Sequence, residues 1–407
     1  MIYNYLKKDV PMKKIDNQTI LLIDDQIGTT QEITSEKKEK EKINFNNFEI
    51  IDIIGIGGFG TVYKVKNVLD EKIYAMKVMN KNLIIQQKYF HYIISEYEIL
   101  KTLSGCPFIL DLYYCFQSAN YLYMIIDYCS KGDMTKLKKI INIKLLCAEL
   151  ILSIEYIHKK KIIYRDLKPE NILLDDTGHI KLCDFNLAIK IMNNKKRANS
   201  FCGSPLYLSP EMAEKKNGVS FKADIYQIGL IIYELFTGEN AFKGESVEIV
   251  YQKIKNNNIN FNHKKINNVK FLKDLLLNIL VIDENKRFNF EQIKKHKFFK
   301  DINWDDVYNK KSGKIITEKY NNKKNFFIIN GDMLYQGRNI IEIEKEIEAD
   351  KKYNIEKGKI TLKEIINDQK REMKNYVRKF YYVKPELKND PNEFKVIINE
   401  EWKNIFK

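Results

Sequence analysis

Long apolar runs are missing from this 407-residue chain. No apolar stretch of about 18 residues occurs, and Thr19–Ile23 is far too short to span a bilayer. A secretory leader is absent too. The six cysteines, at 106, 115, 129, 147, 183 and 202, form no C-x-x-C and no metal-ligand spacing. Reduced thiols inside a cell are therefore expected. No internal repeat stands out. The net charge is +15, yet no basic stripe with interleaved aromatics is present, so nucleic acid is not an expected partner. Residues 1–47 balance eight lysines against eight acids, and 303–407 hold 23 basic against 18 acidic residues. The remaining excess is spread thinly over 48–302. An acidic peptide or an anionic lipid surface is the partner such diffuse charge fits.

What the chain does have is a dense polar string. Residues 164–171 read Tyr-Arg-Asp-Leu-Lys-Pro-Glu-Asn, and Cys-Asp-Phe follows at 183–185. Asp166, Lys168 and Asn171 thus place an acid, a cation and an amide within six residues, with a second acid, Asp184, downstream. Phosphoryl transfer needs such a set: an acid to orient the attacking hydroxyl, a cation on the moving group and oxygen ligands for Mg²⁺. Asn171 and Asp184 suffice as metal ligands, because Mg²⁺ keeps several waters and takes one or two protein oxygens beside substrate phosphates.

A nucleotide clamp is then expected upstream. Ile54-Gly55-Ile56-Gly57-Gly58-Phe59-Gly60-Thr61-Val62 lies between two alternating runs, 49–54 and 61–65, that read as paired strands. Glycines at 55, 57 and 60 let backbone N–H groups approach phosphates. Strand-like Val62-Tyr63-Lys64-Val65 follows, which excludes a dinucleotide-binding turn that opens a helix. Tyr74-Ala75-Met76-Lys77-Val78 is a further strand with one inward lysine, and Glu96, rather than Glu98, is its expected helix partner.

Together these motifs resemble the eukaryotic protein kinases over about residues 48–300. The resemblance implies an α+β bilobal fold, with an antiparallel small lobe at about 48–126 and a mainly helical large lobe at about 127–302. It also implies ATP in the cleft, held by Ile54, Gly55, Gly57, Gly58, Gly60, Val62, Ala75, Lys77 and Glu96. Asp127 and Cys129 resemble the backbone positions that meet adenine, after the gatekeeper Ile126, and Asp133 resembles the ribose contact. Phe185, Tyr164, Leu100 and Leu112 resemble the hydrophobic spine. Glu211 and Arg287 resemble the buried ion pair of the large lobe, and Asp224 the acid that braces the catalytic loop. Tyr at 164, Ser200-Phe201-Cys202-Gly203-Ser204-Pro205 and the closing His296–Trp304 resemble the AGC group, which implies serine or threonine acceptors and Ser200 as the activating phosphosite.

Within that group, Arg197–Phe201 resembles the phosphoinositide-dependent protein kinase branch. Lys81, Ile84 and Ile85 then resemble its small-lobe pocket for a hydrophobic peptide. The tail, 303–407, lacks a Phe-x-x-Phe motif. Its strand-like runs Asn325–Asn330 and Phe380–Val383, with a terminal Glu401–Phe406 helix, fit either a pleckstrin-homology-like domain or an extended kinase tail. Lys311, Lys314, Lys319, Lys323 and Lys324 would give it weak contact with anionic membranes. Residues 1–47 read as a disordered or solvated lead.

Three departures from the family pattern stand out. Asn186 replaces the glycine after Asp184-Phe185, and Asn is the least reluctant substitute where left-handed torsions are needed. The stretch after Asp133 is short by about six residues relative to the family. Tyr97 stands where relatives often place Arg. The expectation is an active cytoplasmic Ser/Thr kinase using ATP and Mg²⁺, with weak membrane contact. The alternative is a pseudokinase scaffold, which Asn186 favours.

Overall fold

Alternation along 48–80 builds one side of the molecule. The computed structural model describes residues 43–316, apart from 58–59, 87–88, 119, 138–139, 192–196, 199–201 and 216–217, together with 327–328 and 382–384. Strands β1 (Phe48–Gly57), β2 (Gly60–Asn67) and β3 (Ile73–Asn80) join antiparallel in sequence order. Helices α1 (Lys81–Gln86) and α2 (Phe90–Leu103) follow, then β4 (Leu112–Gln117) and β5 (Tyr121–Asp127), with β5 inserted between β3 and β4. Because strand side chains alternate, β3 serves two cores. Tyr74, Met76 and Val78 join an outer aromatic layer with Phe48, Tyr63, Tyr114, Phe116 and Tyr123. Phe116 stacks between Phe48, with ring centroids 5.8 Å apart, and Tyr123, at 4.9 Å. Ala75, Lys77 and Met79 face the other way, where α2 lays down Ile93, Tyr97, Leu100 and Leu103 at helical spacing.

The second lobe is helical. Its centre is α3 (Ile143–Lys159), apolar nearly all round and therefore buried. Asn142 caps it, accepting from Leu145 N at 2.9 Å. Two short antiparallel pairs, β6 (Ile162–Ile163) with β9 (Ile189–Lys190) and the hairpin β7 (Ile172–Leu174) with β8 (Ile180–Leu182), carry the polar string between them. Helices α4 (Pro210–Glu214), α5 (Lys222–Thr237), α6 (Val247–Lys255), α7 (Lys264–Asn267), α8 (Leu272–Ile279), α9 (Phe290–Lys295) and α10 (Trp304–Tyr308) complete it. Glu211 and the fully buried Arg287 form a bidentate pair at 2.9 and 3.1 Å. The arrangement is the expected bilobal α+β kinase fold. After Asp133, among the described residues, a 3₁₀ turn, Met134–Lys136, precedes α3.

After α10, as far as Ile316, the chain stays on the second lobe. Ile315 and Ile316 are buried, Ile315 N donates to Gly178 O at 3.0 Å, and Ile141 N donates to Ile315 O at 2.9 Å. Two tail strands then add to the small-lobe sheet at opposite edges. β10 (Phe327–Ile328) runs parallel beside β1 at Gly55 and Ile56, and β11 (Tyr382–Val383) runs antiparallel beside β4 at Tyr114 and Cys115. Within the two strand-like runs, the described residues 327–328 and 382–383 are strands, and each pairs with an edge of the small-lobe sheet. Glu401–Phe406, Lys319, Lys323 and Lys324 lie outside the described residues.

Candidate active site

Strand β3 aims Lys77 into the cleft between the lobes, and α2 brings Glu96 to it. The ammonium lies 2.8 and 2.7 Å from the two carboxylate oxygens of Glu96. Glu98, two residues on, is exposed, with Lys101 Nζ 4.0 Å from its carboxylate. Burial works against the charge on Lys77, but Glu96 and then Asp184 more than offset it, so its affinity for the proton rises. Above Lys77 the β1–β2 hairpin carries Ile54, Gly55, Gly57, Gly60 and Val62. A Cβ on Gly60 would sit 1.8 Å from Val78 O, so only glycine lets this hairpin lie so close to β3. Gly58 falls outside the described residues.

The polar string is held from below by α5. Asp224, fully buried in the first turn, accepts from Tyr164 N and Arg165 N, each at 2.8 Å, and pairs with His158 Nε2 at 2.7 Å. One turn on, Gln227 accepts from Leu167 N at 3.3 Å and donates to Arg165 O at 3.2 Å. Successive peptides of the string are thus tied to a rigid helix, and Arg165 can hold φ at 70°. Asp166 is fixed in turn. Its Oδ1 accepts from Ser204 N at 3.0 Å and from Ser204 Oγ at 2.8 Å. Its Oδ2 lies 2.9 Å from Lys168 Nζ and 3.1 Å from Asn171 Nδ2. Lys168 also donates to Ser204 Oγ at 3.0 Å. Its burial lowers, and Asp166 raises, its proton affinity; the net shift is upward.

Ser204 has no assigned role in the sequence reading, yet it touches both the acid and the cation. The signal was faint: a serine before Pro205 in the activation segment, remote from Asp166 along the chain. Phe185 packs edge-on against Tyr164 at 5.1 Å, and Leu100 and Leu112 are buried in the same core.

Asn171 and Asp184 fit a magnesium ion by the chemistry of their donor atoms. The amide nitrogen of Asn171 is engaged with Asp166 O at 2.8 Å, which leaves its carbonyl oxygen as the atom a hard cation takes. Asp184 adds a carboxylate. Among the described residues no cluster of three or more His, Cys, Asp or Glu could hold a metal by itself. Two oxygens plus phosphates and water is the pattern Mg²⁺ prefers.

The hinge follows from the end of β5. Ala75 pairs with Ile126 across β3 and β5, and Cys129 is buried. The Asp127 carboxylate points away to a network: it accepts from Tyr113 OH at 2.7 Å, Asp111 N at 2.9 Å and Lys181 Nζ at 2.7 Å. Only its backbone is left for a base, as the resemblance implies. Asp133 is buried, its Oδ1 accepts from Thr135 N at 3.0 Å, and its Oδ2 lies 3.2 Å from Lys136 Nζ. Of the residues expected near a docking peptide, Lys81 and Ile84 are buried, with Lys81 Nζ donating to Gln117 Oε1 at 2.9 Å, and Ile85 is half-buried. Ser200 lies outside the described residues.

A family model described as "Protein kinase domain" matches residues 48–299. Among curated proteins, Protein kinase 2 of Dictyostelium discoideum is 40% identical over 225 residues, which is 54% of this chain and 46% of that protein. Serine/threonine-protein kinase SCH9 of Saccharomyces cerevisiae is 37% identical over 251 residues, covering 60% and 29%. The cAMP-dependent protein kinase catalytic subunit of D. discoideum is 38% identical over 220 residues, covering 53% and 33%. The matches span about half or less of these relatives' own lengths.

Proposed function

The chain belongs to the protein kinase family, and from that premise we propose that it is an AGC-type serine/threonine protein kinase, transferring the γ-phosphoryl group of ATP to protein hydroxyls. The observation that carries this is the sharing of Asp166. One oxygen accepts a hydroxyl proton from Ser204, and the other faces the Lys168 ammonium. An acceptor serine or threonine placed there meets the same two groups: Asp166 orients its hydroxyl and takes the proton, while Lys168 stabilises charge on the moving phosphoryl. Lys77, kept charged and fixed by Glu96, holds the ATP phosphates under the glycine hairpin. Asn171 and Asp184 are the residues that would hold Mg²⁺, which neutralises phosphate charge when bound. The bases for each role are position and distance.

The scaffold alternative rested on Asn186. That residue is not among those at positive φ, whereas Asp184 is, at 54°. Glycine's extra freedom is therefore not used at 186, and the steric objection to an active enzyme goes. The test is Asp166→Asn in a single-turnover assay with labelled ATP and a basic protein. Transfer should be abolished while nucleotide binding persists; equal transfer by mutant and wild type sinks the assignment.

Finer assignments have narrower support. The phosphoinositide-dependent branch rests on the Arg197–Phe201 string. Ser200 as the activating phosphosite rests on the same string, and the cation proposed to pair with its phosphate is Arg165, whose Nε donates to Leu187 O at 2.7 Å. A small-lobe peptide site would have to use Ile85 and the exposed Leu83. Cytoplasmic residence, with weak contact to anionic membranes through tail lysines such as Lys311 and Lys314, is supported by six free thiols and by basic charge. Mass spectrometry of the phosphosite and liposome sedimentation of the full chain are the checks.

A further inference from the structure

Charge within the kinase domain is uneven. Residues 253–300 hold twelve Lys and Arg against four Asp and Glu, so the excess expected to spread thinly over 48–302 gathers here. Helix α8 displays part of it. Its Leu272, Leu275, Leu276 and Ile279 are buried, and Ile279 packs at Gly229 of α5. The other face of α8 is turned to solvent. At its start two ammonium groups share one ring: Lys270 Nζ lies 5.1 Å and Lys297 Nζ 5.8 Å from the centre of Phe271. Lys273 follows one turn on and donates to Asn262 Oδ1 at 2.6 Å. Among the described residues none of these three is paired with a carboxylate, whereas Lys294 and Lys295 are, through Glu155 and Glu291. The one acid of α8, Asp274, lies 2.8 Å from His296 Nε2. Leu277, one turn beyond Lys273, is 46% exposed, and Ile282, just past the helix, is 47% exposed.

We propose that this face of α8 docks on an anionic lipid bilayer, through Lys270, Lys273 and Lys297, with Leu277 entering the headgroup layer. Like charges gathered without counter-ions repel one another, and an anionic surface relieves that repulsion. The lysine stems rest on apolar surface such as Phe271 while their ammonium groups stay in the wet headgroup layer. An acidic peptide would satisfy the lysines alone. A bilayer offers negative charge and, about 5–10 Å deeper, an apolar boundary for exposed aliphatic side chains. Each lysine near such a surface is worth about fivefold in affinity, so three give about a hundredfold. That suits reversible docking. The docked chain keeps its cleft free, because α5 holds the catalytic string through Asp224 and Gln227 on one side and meets α8 at Gly229 on another. The surface lies on the second lobe and is separate from the tail lysines Lys311 and Lys314.

The test is sedimentation of the full chain with vesicles of phosphatidylcholine alone, or of phosphatidylcholine and phosphatidylserine in equal parts. Three variants are compared with wild type: Lys270→Gln with Lys273→Gln and Lys297→Gln; Leu277→Ser; and, for the tail, Lys311→Gln with Lys314→Gln. Wild type should bind the anionic vesicles, ignore the neutral ones and come off in high salt, where screening shortens the reach of charge. The triple variant should need about a hundredfold more lipid for half-maximal binding. Leu277→Ser should also weaken binding, and both should melt at the wild-type temperature, which reports that they fold. A triple variant that binds anionic vesicles as wild type does would overturn the proposal, and loss in the tail variant alone would move the contact to the tail. A wild type that ignores anionic vesicles would overturn it too; if that protein binds poly-glutamate at the same salt, the partner is an acidic protein. No readout involves phosphoryl transfer, so the kinase reading stands or falls separately.

Discussion

At Lys81, only 4% exposed, charge and burial oppose each other. Burial lowers its ammonium to about 6, against an ordinary lysine value of about 10.4. Between those values the unfolded chain carries a proton that the folded chain sheds, so this residue makes stability rise with pH from about 6 towards about 10 and fall on acidification. Lys81→Met removes the titration, so the variant's advantage in melting temperature should be largest near pH 6.5 and shrink towards pH 9.5. One proton sets the limit at about 1.4 kcal/mol per pH unit. A difference between the two proteins that stays constant across that range would show the amine stays charged, held by Gln117 and Ser118. The sequence could not show this burial, because a lysine after a strand reads as solvated until the Gln117 turn closes over it. By contrast, Asp166, Lys168 and Asn171 were legible, since their clustering is written in consecutive residues. Ser204 and the Tyr113–Asp127–Lys181 network were not, because contacts between distant segments leave no local pattern.

Helix α5 does several jobs at once. Asp224 and Gln227 organise the catalytic string on one side, and Gly229 lets α8 approach on another. A Cβ on Gly229 would lie 2.7 Å from both Ile279 Cγ2 and Leu280 Cδ2. Gly229→Ala sets helix propensity, about 1 kcal/mol in favour of alanine, against overpacking of about 1–3 kcal/mol. Packing should win, with a net loss of about 1 kcal/mol in urea unfolding; a stabilised variant would show that α8 gives way freely. The strands of the small lobe were readable as elements because alternation is local, and α2 because its apolar face repeats with helical period. The tail strands were readable only halfway. Phe380–Val383 has strand character, but its partner is set by which sheet edge stands open, and that property belongs to the folded lobe.

Over the whole molecule, charged contacts between remote segments tie the parts together. Arg287 on the approach to α9 reaches Glu211 on α4, and Arg287→Met should cost about 3–5 kcal/mol by leaving a mostly buried carboxylate unpaired; a calorimetric melt of the variant tests it, and an unshifted transition would mean Glu211 finds water or another partner. Lys384, after β11, plays a comparable part for the tail: its ammonium lies 2.7 Å from Asp111 Oδ2 and 5.2 Å from the centre of the Tyr113 ring, and its N–H donates to Tyr113 O at 2.7 Å. With β10 and β11 in place, segments of the tail cover part of each outer strand of the small-lobe sheet. Open strand edges are templates on which other chains assemble, so covering them should lower self-association. Deleting 380–407 should leave the β4 edge bare and make the protein self-associate as its concentration rises, visible in light scattering, while Lys384→Glu should do so more mildly. If the shortened chain stays monomeric at every concentration, β4 protects its own edge by twist and short length, and solubility owes nothing to the tail.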